Sequence, residues 1–220
     1  MSKKETEKPI LADEVLGKSE AFVIKNKNTF IGVIVAIVVV VCGYLAYNTF
    51  IAEPKEAEAA KAIFKAEQYF VNGDFETALN GDGINAGLLQ VIDENRGTDA
   101  ANMAYAYAGL CYAQQQNYDE AINYLEKYDG NDRLVSPMVK RALGNCYAHQ
   151  ENIDKAIKLL LQAADEADNV TVSPKCLFDV AAMYEKQGKT DKAVELYNRI
   201  KNEYPQAPEA VNIDRFINVK

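Results

Sequence analysis

The sequence has little material for the chemistry that histidine and clustered cysteine perform. One histidine, His149, and four cysteines, Cys42, Cys111, Cys146 and Cys176, serve 220 residues, and no two cysteines stand at C-x-x-C spacing. A mixed Cys/His zinc site therefore lacks its donors. A hydrolase triad or a His-based acid/base pair would rest on one imidazole with no nucleophile near it in sequence, so we expect no enzyme and no cofactor. Positive charge is also scarce. The net charge is −8, and residues 1–28 carry six lysines against five acids, about +1, which leaves about −9 from Glu53 onward. An acidic body repels phosphate backbones and argues against nucleic-acid binding. With 49% hydrophobic and 25% charged residues, the chain has the composition of a folded protein of one or two domains rather than a disordered tail.

Charge disappears altogether from Phe30 to Tyr47, "FIGVIVAIVVVVCGYLAY", and with Asn48–Ala52 the uncharged run exceeds the ~20 residues, about 30 Å of helix, that cross a bilayer. A cleaved signal peptide fits poorly, because 29 residues precede the run, its apolar stretch is too long, and no A-x-A-like site follows. Val41 ahead of Cys42 argues against a lipoprotein site. Lys18, Lys25 and Lys27 precede the run, whereas Glu53 and Glu56 flank Lys55 beyond it, which places the N-terminus inside. Tyr44 and Tyr47 suit an interfacial belt, and Gly32 with Ala36 leaves room for close approach of a second span in a homo-oligomer. Leu11, Val15, Phe22 and Val23 share a stripe that reads equally as a surface helix or as a flexible leader. The expected boundaries are a tail over 1–28, a transmembrane helix over 29–52 and a folded body over 53–220.

The body repeats. "YAYAGLCYAQQQNYDEAINYLEKY" from Tyr105, "KRALGNCYAHQENIDKAIKLLLQA" from Lys140 and "LFDVAAMYEKQGKTDKAVELYNRI" from Leu177 align so that Ala121, Ala156 and Ala193 are equivalent, 35 and 37 residues apart. Tyr112, Tyr147 and Tyr184 keep one offset. Gly109 and Gly144 match Ala181, and Leu125, Leu160 and Tyr197 share a bulky slot. Within each unit apolar residues recur at helical spacing, a polar turn intervenes and the period resumes, the pattern of a helical hairpin. Ser136-Pro137 and Ser173-Pro174 read as a capping hydroxyl before a first-turn proline. Ala207-Pro208 opens a last helix that covers the end of the stack. Cys111 and Cys146 occupy one small-residue slot in successive units. Helices packed about 10 Å apart are too distant for an easy bridge, so no disulfide is expected between them.

A different feature, "LNGDGINAGLL" over 79–89, offers three readings. A dinucleotide loop needs a preceding strand, but Gly81 follows the helical "DFETAL". A calcium loop with Gly83 sixth would put Ala78 first and Leu89 twelfth, neither a ligand. Ala78 and Ala121 lie 43 residues apart, about eight more than later units allow, so the stretch reads as an insertion that breaks the second helix between Leu79 and Leu88. Asp82 is expected to cap the resumed helix, and Asp82 with Gly83 remains a partner-contact loop in the alternative.

These recurrences resemble the tetratricopeptide repeat over about residues 60–205, including an imperfect front unit "AIFKAEQYFVNGDFETAL" with Tyr69, Gly73, Phe75 and Ala78 in place. The resemblance implies an all-α fold: one transmembrane helix followed by an α-solenoid of about four helical hairpins and a C-terminal capping helix. It also implies that first-helix positions line a surface that binds other proteins or peptide segments. Carried across, these are Met103, Ala106 and Leu110; Met138, Arg141 and Asn145; and Lys175, Phe178 and Ala182. Arg141, Asn145 and Lys175 resemble part of a carboxylate clamp, against which Asp179 stands, and solvated polar residues on helix faces are the plainer reading. The layout, with "AFVIKNKNTFIG" before the span, is similar to the YfgM type of ancillary protein at the bacterial Sec translocon. That similarity implies an inner-membrane scaffold, N-terminus cytoplasmic and repeats periplasmic, assisting translocation or envelope-protein biogenesis and meeting the translocon or periplasmic chaperones. The alternative is an organiser of a membrane complex that binds one fixed partner.

Overall fold

The computed structural model describes residues 25–218, so the stripe of Leu11, Val15, Phe22 and Val23 lies outside the described residues. Contacts divide the chain at Pro54 and Lys55 into two units. The first contains helix α1, Lys27–Tyr47, followed by a π-helical stretch Asn48–Ala52. None of the α1 side chains is buried. An 18-residue window here has a mean hydropathy of 2.7, so one N-terminal helix is long and apolar enough to cross a membrane.

The helices that follow are α2 (Glu53–Val71), α3 (Phe75–Asn80), α4 (Leu88–Glu94), α5 (Asp99–Gln114), α6 (Tyr118–Leu125), α7 (Val135–His149), α8 (Ile153–Ala167), α9 (Ser173–Lys186), α10 (Thr190–Glu203) and α11 (Asp214–Ile217). The fold is all-helical, a stack of hairpins α2/α3, α5/α6, α7/α8 and α9/α10, with a single isolated bridge, Gly81 to Ala86, among the described residues. Each pair is closed by the same short turn. Asp74, Asn117 and Asn152 accept from the backbone N–H three residues on, capping α3, α6 and α8. The turn needs one left-handed residue: Gly73, Gln116, Glu151 and Gly188 hold φ of 79°, 63°, 61° and 71°. Glycine takes that conformation freely, whereas Gln116 and Glu151 pay a steric cost.

Small residues set the helix crossings. A Cβ added at Gly109 would lie 2.5 Å from Leu125 Cγ, and one at Gly144 would lie 2.9 Å from Leu160 Cγ. The glycine slot of the first helix is thus filled by the leucine of the second. In the last hairpin Ala181 and Tyr197 take these places, both fully buried. Three apolar clusters follow one another: Ala59 to Cys111, Ala106 to Ala156, and Ile157 to Ile213. Cys111, Cys146 and Cys176 are buried and unbridged, and burial pushes their thiols up to about 12, 11 and 12. Glu56 joins α2 to α5 by accepting from the N–H groups of Asp99 (2.7 Å) and Ala100 (2.9 Å).

Two expectations need correction. Ser136 and Ser173 are buried inside the first turns of α7 and α9 rather than capping them. Neither helix has a side-chain cap at its N-cap residue, and upstream side chains instead hold the turn that leads in: Asp132 accepts from Leu134 N and Val135 N at 2.7 and 2.5 Å, and Asn169 accepts from Thr171 N and Val172 N, both at 2.9 Å. Each serine is spent elsewhere, Ser136 Oγ donating to Asp132 and Ser173 Oγ to the Ala164 carbonyl. The terminal segment is also not one helix. A 3-10 turn Pro208–Ala210 and the short α11 are separated around Asn212, whose φ is 59°. Ile213, Phe216 and Ile217 still cover the last core.

Candidate partner-binding groove

The first helices of the last three hairpins present one stripe each to a common groove. From α5 come Leu110, Ala113 and Gln114, from α7 Met138, Arg141, Ala142, Asn145 and His149, and from α9 Lys175, Asp179, Ala182, Met183 and Lys186. These spacings of three and four residues put each set on one helix face. The groove comprises two adjoining cavities of about 310 and 460 Å³, and Asn145 and His149 line both. Its apolar floor is largely alanine and methionine, with Met138 at 48% exposure near one end.

Charge is arranged unevenly along it. Arg141 Nη2 meets Asp179 Oδ2 at 3.0 Å, linking α7 to α9, and both side chains are about one-third exposed. Arg141 Nε is buried without a partner among the described residues. Lys175 and Lys186 have no acidic partner among the described residues, whereas Lys140 pairs with Glu166, Lys155 with Glu126 and Arg199 with Asp165 and Glu203. At the junction of the cavities, His149 stacks on Tyr118 with ring centres 4.3 Å apart and planes 5° from parallel.

Leu110, Met138, Arg141, Asn145, Lys175 and Ala182, named from the sequence, come together here. Met103, Ala106 and Phe178 do not line either cavity. Met103 packs against the first core, and Ala106 is buried in the second. Phe178 sits 5.5 Å from Tyr197 and 5.3 Å from Phe216, because the last hairpin uses aromatic rings to close its end. Sequence reasoning passed over Gln114, His149 and Lys186. Extending each stripe by one further turn, from Leu110, Asn145 and Ala182, would have found them.

Asp82 and Gly83 lie in a separate loop between α3 and α4. Asp82 does not cap α4, whose N-cap position is Gly87 without a side-chain bond. Its carboxylate instead accepts from Asn85 N (2.6 Å), Ile84 N (2.8 Å), Asn85 Nδ2 (2.8 Å) and Tyr69 Oη (2.6 Å). The bonds from Asn85 and Tyr69 hold it well below the usual carboxylate range. Its oxygens are occupied by the chain itself. Ile84 stands at the tip, 93% exposed.

With this geometry in view, comparison with known proteins gives a consistent answer. Residues 88–134 and 136–201 match family models described as tetratricopeptide repeat, so the chain carries such repeats. Among solved structures it is similar to the MamA protein, at 18% identity over 72% of this chain and 78% of that one, with a TM-score of 0.57. It is also similar to a putative kinesin light chain of Podosopora anserina with nearly identical TPR-like repeats (15% identity, 74% and 84% covered, TM-score 0.57). A third is BtubC (BKLC) from P. vanneervenii (13%, 79% and 73%, TM-score 0.56). At these identities the likeness is one of fold. No curated relative matches the chain.

Proposed function

We propose that the tetratricopeptide repeats of this chain act as a membrane-tethered scaffold that holds polypeptide segments in the groove of α5, α7 and α9. The observation that supports this most is the convergence of three first-helix stripes on one continuous, partly apolar groove whose Lys175 and Lys186 have no acidic partner among the described residues. A tetratricopeptide fold binds proteins or peptides through such surfaces. The apolar Lys27–Tyr47 helix serves as the anchor, with lysines before it and glutamates after it favouring a cytoplasmic N-terminus and a periplasmic body of a bacterial inner-membrane protein. In that compartment the groove meets chains emerging from translocation or the chaperones that receive them, and the process is envelope-protein biogenesis.

A second reading, one fixed partner in a membrane complex, is favoured by the Asp82–Gly83 loop, which holds the exposed Ile84 in a preset position. Quantitative purification of the full-length protein from membranes separates the two. Many substoichiometric partners support the client-binding scaffold, and one stoichiometric partner supports the organiser. Protease added to spheroplasts tests orientation: digestion of the repeats is expected, and their protection contradicts a periplasmic body.

A further inference from the structure

The groove's charges point to the chemistry of its occupant, an inference that rests on the groove being used. On α9, Lys175, Asp179, Ala182 and Lys186 follow at intervals of four, three and four residues and line one stripe. The central acid is neutralised by Arg141 at 3.0 Å. Lys175 and Lys186 are left at the two ends, about 16 Å apart along the helix, each without an acidic partner among the described residues. Between them lie Ala142, Ala182 and Met183. In a chain of net charge −8, this groove carries Arg141, Lys175 and Lys186 against Asp179 alone.

We infer that the groove recognises an extended polypeptide segment bearing two acidic side chains four residues apart with small or apolar residues between them. An extended chain advances about 3.3 Å per residue and turns every second side chain to the same face, so four steps, about 13 Å, keep two carboxylates on the groove side, and the flexible lysine stems close the remaining distance to Lys175 and Lys186. A helix 10–12 Å across and long enough to reach both lysines would occupy roughly 1,500 Å³, against cavities of about 310 and 460 Å³. Lys175 and Lys186 give such a segment its register along α9 and its discrimination against basic chains.

The test is a fluorescence-anisotropy titration of the full-length protein in detergent micelles with the labelled, N-acetylated and C-amidated peptide Glu-Ala-Leu-Ala-Glu and its Gln and Lys counterparts. The acidic peptide is expected to bind about tenfold more tightly than the Gln peptide, with affinity falling as salt rises. Lys175→Gln and Lys186→Gln, checked for an unchanged circular dichroism spectrum, should each weaken it about fivefold, and the Lys175→Glu/Lys186→Glu double variant should prefer the Lys peptide. Equal binding of the acidic and Gln peptides, with loss in Leu110→Glu, would overturn the charge inference while leaving the groove in use. Binding that requires a free C-terminal carboxylate would overturn it as well. Failure of all three peptides overturns it too, and whether the groove is used at all is then read independently by crosslinking from Asn145.

Discussion

The first hairpin and the third share a register but spend their second helices differently. In the third, α8 runs unbroken for 15 residues from Ile153 to Ala167. In the first, α3 stops after six residues at Asn80, and the chain makes a pinned loop before α4 begins at Leu88. The cause is local. Gly81 takes φ of 82°, and a Cβ on Gly87 would lie 2.3 Å from both Gly81 N and Leu79 O. Where a helix crossing is the constraint, as at Gly144, the nearest neighbour is a leucine side chain; where a loop is the constraint, as at Gly87, every near neighbour is backbone. The same residue type therefore carries different energies in the two hairpins.

That difference can be broken in a graded series. Gly87→Ala should be the most damaging, about 3 kcal/mol of lost stability, because the clash is with backbone. Gly109→Ala should cost about 2 kcal/mol, since its Cβ would meet Leu125 Cγ at 2.5 Å and the Ala121 carbonyl at 3.0 Å. Gly144→Ala, with 2.9 Å and 3.3 Å to the corresponding atoms of Leu160 and Ala156, should cost about 1 kcal/mol. Urea unfolding followed by circular dichroism ranks the three, and an inverted order would break the comparison.

The turns sharpen it further. Gly188→Ala places a Cβ on a left-handed residue and should cost about 1 kcal/mol, whereas Gln116→Gly relieves the same strain at some entropic cost and should gain about 0.5 kcal/mol. The smallest effect is of acid. Asp82 is held low by the Asn85 and Tyr69 bonds. Asp132 is also held low, partial desolvation opposing but the N–H groups of Val135 and Leu134 and the Ser136 hydroxyl prevailing. For carboxyls depressed in the folded state, the stabilisation is fully present above the unfolded value near pH 4 and is lost as pH falls through the folded value. Amide protection factors at Ile84, Asn85, Leu134 and Val135, taken against the intrinsic rate at each pH, should fall below about pH 4, and unchanged protection down to pH 2 would contradict these assignments.

Much of the fold could be read from spacing, because crossings of close-packed helices tolerate few substitutions. The equivalence of Gly109 with Gly144 and of Leu125 with Leu160, and the break between Leu79 and Leu88, follow from register alone, whereas the seating of each leucine on its glycine is seen only in the structure. The helix starts were less legible, since Ser136-Pro137 and Ser173-Pro174 look like a capping signal while Asp132 and Asn169, four residues earlier, hold the turns that lead into the helices. Gln116 and Glu151 gave no warning of left-handed backbone, because their side chains are ordinary and only equivalence to Gly73 and Gly188 exposes the position. At the groove, Arg141, Asn145 and Lys175 follow from the stripe. Phe178 misleads because a large apolar residue on that face serves equally to close the last core against Phe216.

The central claim is that polypeptide is held by the α5, α7 and α9 face of a membrane-tethered repeat stack. It is tested most directly by placing a photo-crosslinking residue at Asn145 in the groove and, in a separate variant, at the exposed Lys158 on α8. Irradiation of intact cells should give protein adducts from Asn145 and few from Lys158. Equal yields, or adducts from Lys158 alone, would contradict the account.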